Sequence, residues 1–198
     1  MNFVNNYLAE TAALLGKMPG EAIEAVAQGL VSVRECGGRL FILGVGGSAG
    51  HASHAVNDFR KICGFEAYAP TDNVSELTAR INDDCWETVF AAWLKGSRLN
   101  SHDALLVFSV GGGSQAQNIS VNLIRALEFA KQVGAKIYGV VGRNGGFTAQ
   151  VGDVVVIIPS LFEDRITPHT EGLTAVIWHL LVSHPSLKQT ATTWESRE

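Results

Sequence analysis

Apolar and polar positions along the chain follow two alternating rhythms. Four runs, 40–45, 104–110, 137–141 and 154–158, are almost continuously apolar and rich in β-branched residues. A strand with one wet face alternates apolar with polar positions. These runs do not, which is the pattern of strands covered on both faces in a parallel sheet. A fifth, short strand is expected near 65–69. Between the runs lie helix-length segments. In 21–36, Ile23, Val26, Ala27, Leu30 and Val33 recur at helical spacing, and Gly37-Gly38 ends the segment. Segments 48–63 and 86–97 are also of helix length; 119–133 stops at Gly134 and 171–184 at Pro185. Strand and helix alternate, so the expected class is α/β, with a mostly parallel five-stranded sheet flanked by helices. No linker or internal repeat interrupts residues 1–198, which read as one domain: helices in 1–36, an α/β core in 37–184 and a polar, loosely held tail in 185–198, whose Trp194 can pack on another part of the protein.

Composition narrows the possibilities. A chain of 198 residues that is 46% hydrophobic and 17% charged can bury a sizeable core. Net charge is −4 and no long basic run occurs, which argues against nucleic acid as the ligand. Three cysteines without CxxC spacing make neither a disulfide framework nor a zinc knuckle, and they fit a reducing cytoplasm. The first basic residue is Lys17, with Glu10 before it, so the start does not read as a secretory signal. No apolar run reaches the roughly 20 residues that span a bilayer.

The chemistry falls at strand ends, where open α/β sheets bind ligands. Gly44-Val45-Gly46-Gly47-Ser48 follows the first strand, and Ser109-Val110-Gly111-Gly112-Gly113-Ser114 follows the 104–110 strand. Glycine lets backbone approach a ligand, and serine hydroxyls and helix N-terminal N–H groups bind anions. Two such turns, each leading into a helix, point to a phosphate or sugar site. A third, Gly142-Arg143-Asn144-Gly145-Gly146, is read as loop shaping. Gly44, Gly46 and Ala49 also satisfy G-x-G-x-x-A, with Glu66 about 20 residues on, as in a dinucleotide site. That rival leaves the second glycine turn unexplained.

His54 and Asp58 are four apart and share a helix face, and His51 lies three before His54. Histidine with carboxylate suits zinc or a similar divalent ion. Glu171 and His179 open and centre the last helix, and His179 stands among Trp178, Leu180 and Leu181, where a histidine needs a partner or a role.

These stretches together resemble the phosphoheptose isomerases of the sugar-isomerase (SIS) domain superfamily. The resemblance rests on Leu43 to His54 followed by Asp58-Phe59, on Leu77-Thr78-Ala79-Arg80-Ile81-Asn82-Asp83, on the Ser109 loop and 142–146, and on Thr167-Pro168-x-x-Glu171 with His179 eight residues later. It implies a single SIS domain and an aldose–ketose isomerase that converts a sugar phosphate, by resemblance sedoheptulose 7-phosphate, to a heptose 7-phosphate through a metal-stabilised enediolate. It implies His54, Asp58, Glu171 and His179 as metal ligands, with Asp58 and His179 as the acid–base pair and zinc as the expected ion. Gly46, Gly47, Ser48, Asn82, Asp83, Ser109, Ser114 and Ser120 become the expected substrate contacts. A cytoplasmic homotetramer with sites at subunit interfaces completes the expectation. Non-catalytic SIS proteins that bind sugar phosphates are the alternative. The chain departs from the family at Val45, where an asparagine is usual, in the Ser109 loop, which lacks two hydroxyls and carries about six extra residues before Ser120, at Asp58 in place of Glu and at Glu171 in place of Gln.

Overall fold

The continuously apolar runs become the interior of a sheet. In a computed structural model that describes residues 2–191, β1 (Leu40–Leu43) is wholly buried, β3 (Ala104–Ser109) is buried up to Ser109 and β4 (Lys136–Val141) is buried after Lys136. The partly exposed β2 (Ala67–Tyr68) and β5 (Val154–Ile157) form the edges. Every pairing is parallel, in the order β2-β1-β3-β4-β5. All carboxyl ends therefore lie on one side. The chain runs from β1 outward to β2, then returns to place β3 on the other flank of β1. The loops after β1 and β3 consequently diverge from a single point, the crevice in which doubly wound sheets hold ligands.

Helices cover both faces. α2 (Gly20–Glu35), α3 (Gly47–Cys63) and α8 (Ile166–Ser183) pack on one, and α5 (Val89–Gly96), α6 (Val121–Val133) and the short α7 (Gly146–Val151) on the other. Phe59 and Phe108 are fully buried in the first layer, and burial of this kind stabilises by about 1.5–3 kcal/mol per side chain. α1 (Phe3–Leu15) sends only Leu14 into the core. Its anchor is polar. Glu10 accepts two hydrogen bonds from Arg165 at 2.7 Å and faces His169 Nε2 at 3.0 Å, while Tyr7 stacks on the His169 ring. Arg165 first, then His169, holds the Glu10 carboxyl down at about 2. α8 starts at Ile166, five residues before the expected start. Pro168 sits in its first turn, where a missing N–H removes no helical bond.

Two helices were not expected. α4 (Val74–Asp83) buries no residue, and its apolar Leu77 and Ile81 only lean on the second core layer. α7 spans six residues, too few for a periodic signal. The start of the tail differs from expectation. Leu187 is buried, Arg34 donates to its carbonyl at 2.6 Å, and the Gln189 N–H donates to the Ile62 carbonyl at 2.9 Å. One apolar side chain and one arginine thus hold 186–190 against the body. Trp194 lies outside the described residues. Among those residues, no helix is long and apolar enough to cross a membrane.

Candidate active site

The loops after β1 and β3 meet around one cavity of about 850 Å³. Ser48, Ser109, Ser114 and Ser120 all line it, together with Val45 and Glu171. Ser109 Oγ accepts from the Gly112 N–H at 3.0 Å, and Ser114 Oγ from the Gln117 N–H at 3.3 Å. Each hydroxyl is oriented through its oxygen and retains its own O–H for a ligand. The extra residues of the second loop do not block the crevice. Ser114 and Ile119 exchange backbone hydrogen bonds of 3.0 Å each, and this closes 114–119 into a tight turn that forms one wall.

The third glycine turn locks onto the second. β3 and β4 are neighbours, so their loops leave the sheet side by side. A Cβ on Gly112 would collide with the Gly145 carbonyl, and Gly146 lies against the carbonyls of Gly111 and Gly113. The Gly112 carbonyl accepts from both the N–H and the hydroxyl of buried Thr148, at 2.9 and 2.8 Å. The glycines are structural, as expected. The turn nonetheless brings Arg143, Phe147 and Gln150 to the cavity, which sequence reasoning missed. The sequence offered only an arginine in a glycine turn after a strand; that this strand neighbours β3 is seen in the structure.

α3 and α8 run side by side in the same direction, and their facing residues form two levels. At the mouth, the Glu171 carboxylate lies against Gly47: a Cβ there would stand 2.5 Å from Oε1. Two turns farther along, His54 and Asp58 face His179, with one ligand atom from each within 4.8 Å of the others. His54 Nε2 is 3.9 Å from Asp58 Oδ2. Asp58 is buried. Its Oδ1 accepts from the Asn57 amide at 2.9 Å, and its Oδ2 has no hydrogen-bond partner. A buried carboxylate oxygen without a partner is costly, and a cation would satisfy it. His179 Nδ1 lies 2.8 Å from the Ala175 carbonyl of its own helix. A carbonyl only accepts, so Nδ1 carries the proton and Nε2 keeps its lone pair. Trp178 stacks on His179 and meets His54 edge-on, which restrains both rings. The donor set fits a divalent cation of the zinc type.

Not every expected residue joins. Glu171 stands at the mouth, outside the group of three, and His51 is also outside it. Gly46, at φ 62, and Gly47 form the turn that starts α3. Asn82 and Asp83 are exposed at the end of α4, paired with each other at 2.9 Å, and do not line the cavity. Glu66 precedes β2 and so lies at the amino ends of the strands, away from the crevice; the dinucleotide reading fails on that position. Buried Cys63 has its thiol pushed up to about 12 by desolvation and is no nucleophile.

Comparison with known proteins gives the same outline. A profile of the SIS domain family matches residues 6–142. A phosphoheptose isomerase of Trichlorobacter lovleyi is 33% identical over 188 residues, covering 91% of this chain and 90% of its own. The lincomycin biosynthesis protein LmbN of Streptomyces lincolnensis is 31% identical over 195 residues, covering 93% of this chain and 69% of its own. The solved phosphoheptose isomerase of Francisella tularensis superposes with a TM-score of 0.78 at 25% identity, over 92% of this chain and 97% of that one.

Proposed function

The chain belongs to the SIS domain family, and from that membership we propose that it is an aldose–ketose isomerase of sugar phosphates, with sedoheptulose 7-phosphate as substrate. Relatives named phosphoheptose isomerase support the reaction class. The observation that carries the reading is the buried, unpartnered Asp58 Oδ2 facing His54 and His179, two helical turns from a serine-lined cavity. Those two levels are seven to eight residues apart along α3 and α8, about 10–12 Å at 1.5 Å per residue. That is comparable with the reach of an open seven-carbon chain ending in a phosphate. Ser48, Ser109, Ser114 and Ser120 would hold the phosphate end, while the carbonyl end reaches His54, Asp58 and His179.

A divalent cation held by those three residues, zinc by the chemistry of the donors, would supply positive charge where negative charge develops on the sugar oxygens. Asp58 or His179 removes the proton beside the carbonyl and returns it to the neighbouring carbon. His179 can take the proton only through Nε2, since Nδ1–H is bound to Ala175, and a lone pair that takes the proton does not hold the cation at the same time. Asp58 would take the proton through Oδ2, and whichever of the two groups acts as base would leave the cation to the other and His54. Glu171 at the mouth is suited to orienting sugar hydroxyls as they enter.

The triad opens beside Val176 and Leu180, two exposed apolar residues of α8. A second subunit seated there would exclude water from the reaction, and α1 offers exposed Phe3, Val4 and Leu8 for such contacts. We therefore read the working form as a homotetramer with sites at subunit interfaces, in the reducing cytoplasm that unpaired cysteines suit. One feature favours a non-catalytic sugar-phosphate binder: Val45 and the reshaped Ser109 loop replace polar groups at the cavity. A binder has no need of a buried, unpartnered carboxylate facing two histidines. Metal analysis combined with an isomerisation panel of pentose, hexose and heptose phosphates tests the reading.

A further inference from the structure

We propose that Arg143 is the cationic ligand of the substrate's phosphate. The inference rests on the sugar-phosphate reading above and names a residue that reading does not use. Among the described residues, Arg143 and Glu171 are the only charged side chains that line the cavity. A phosphate ester carries between one and two negative charges near neutral pH, and neutral hydroxyls leave that charge uncompensated. The Ser109 loop makes the deficit larger, because Val110, Gly111 and Gly112 bring no hydroxyl.

Three features aim Arg143 at that deficit. It stands one residue beyond the end of β4, after Gly142, and β4 is hydrogen-bonded to β3, whose end carries Ser109. Its side chain runs over Gly111, with Cδ 3.9 Å from where a Cβ on that glycine would stand, an ordinary van der Waals distance. Its backbone is held at φ 53, a left-handed conformation unusual for arginine. The surroundings impose it: the Arg143 N–H donates to Ser160 Oγ at 3.0 Å, and the turn is locked by the contacts of Gly145 and Gly146 with the neighbouring loop. Residues held in such conformations cluster at functional sites.

The guanidinium is also uncommitted. Arg39, Arg80, Arg125 and Arg165 each pair with a carboxylate at 2.7–2.8 Å. Among the described residues, the Arg143 side chain makes no hydrogen bond or ion pair. A planar, permanently charged fork with its donors free, on a residue that lines the same cavity as Ser109, is a fitting partner for a phosphate. The lost hydroxyls and the free arginine are then one substitution of means: charge from the loop after β4 does what neutral donors in the loop after β3 would do.

The test compares wild type with Arg143→Gln and Arg143→Lys, using inorganic phosphate and a sugar phosphate as probes. Calorimetry reads phosphate affinity; steady-state kinetics separates KM from kcat. Arg143→Gln is expected to weaken inorganic phosphate by about tenfold or more and to raise KM by a similar factor, with kcat within about threefold, as suits loss of a charge-assisted contact remote from the reacting carbons. Arg143→Lys is expected to fall between, keeping the charge and losing the fork. Thermal melting checks that both variants fold. Phosphate affinity and KM within twofold of wild type in folded Arg143→Gln would overturn the proposal and leave the isomerase reading intact. If wild type isomerises no sugar phosphate, phosphate calorimetry still decides: lost affinity in Arg143→Gln supports the arginine, and unchanged affinity removes it.

Discussion

Asp58 is a methylene shorter than the glutamate the family carries, and it is buried with one oxygen unpartnered. That combination predicts a trade between function and stability. Asp58→Asn should lose bound metal and lower isomerisation by about 10²–10⁴-fold, the range for loss of a general base. The same substitution removes a buried charge, so the metal-free variant should melt at or above the metal-free wild type. Metal analysis, an isomerase assay and thermal melts after chelation read the three effects. Glu10 gives a pH prediction of the opposite kind. Arg165 and His169 hold its carboxyl at about 2, below the ordinary 4.5. A depressed acid contributes stability above its ordinary value, and that contribution is lost as pH falls toward the folded value. Glu10→Gln should therefore lower the melting temperature at neutral pH, with the gap to wild type closing as pH approaches 2. Melts across that range check it; a gap that persists at the acid end would show that the carboxylate's charge is not what holds α1 to α8. His54 and Asp58 were readable as a pair because they lie one helical turn apart, and His179 as a residue in need of a partner in its apolar run; only the family resemblance put the three together. Arg143 and the Glu10–Arg165 pair were not, since each depends on a partner more than 15 residues away or on how neighbouring loops pack.

At the scale of elements, the crevice is shaped by glycine. The loops after β3 and β4 approach backbone to backbone, and Gly112 combines φ 70 with no room for a Cβ. Gly112→Ala should destabilise by about 2 kcal/mol or more, through left-handed strain and displacement of the Gly145 turn together. Urea unfolding measures it, and a change under about 0.5 kcal/mol would mean that the loops can part cheaply. The interior strands were readable because burial on both faces leaves an unbroken apolar run. The helix pair that carries the site was readable for a related reason: 48–63 and 171–184 keep apolar residues at helical spacing. α4 escaped notice because it faces solvent and buries nothing, and the start of α8 because a proline in the first turn reads as a breaker. The Gly112–Gly145 contact has no sequence signal beyond glycine itself, which also serves plain turns.

The whole molecule presents apolar surface that a lone chain leaves wet. Phe3, Val4 and Leu8 on α1 are 60–69% exposed, and Val176 and Leu180 flank the triad on α8. Light scattering at micromolar concentration should give four times the 21.2 kDa of one chain. Val176→Asp combined with Leu180→Asp should dissociate the assembly and lower isomerisation, because the open side of the triad is then left to water. Fold class follows from the alternation of runs, whereas the strand order is seen only in the structure and assembly as a tetramer was implied only by the family resemblance. The central claim is isomerisation of a sugar phosphate at His54, Asp58 and His179, and proton NMR of sedoheptulose 7-phosphate with metal-replete protein in deuterated water tests it most directly. A new aldose phosphate signal should appear, with solvent deuterium at the carbon beside the carbonyl, and both should be absent with Asp58→Asn. Unchanged substrate in the presence of wild-type protein that binds it and holds its metal would contradict the account and leave a sugar-phosphate-binding protein.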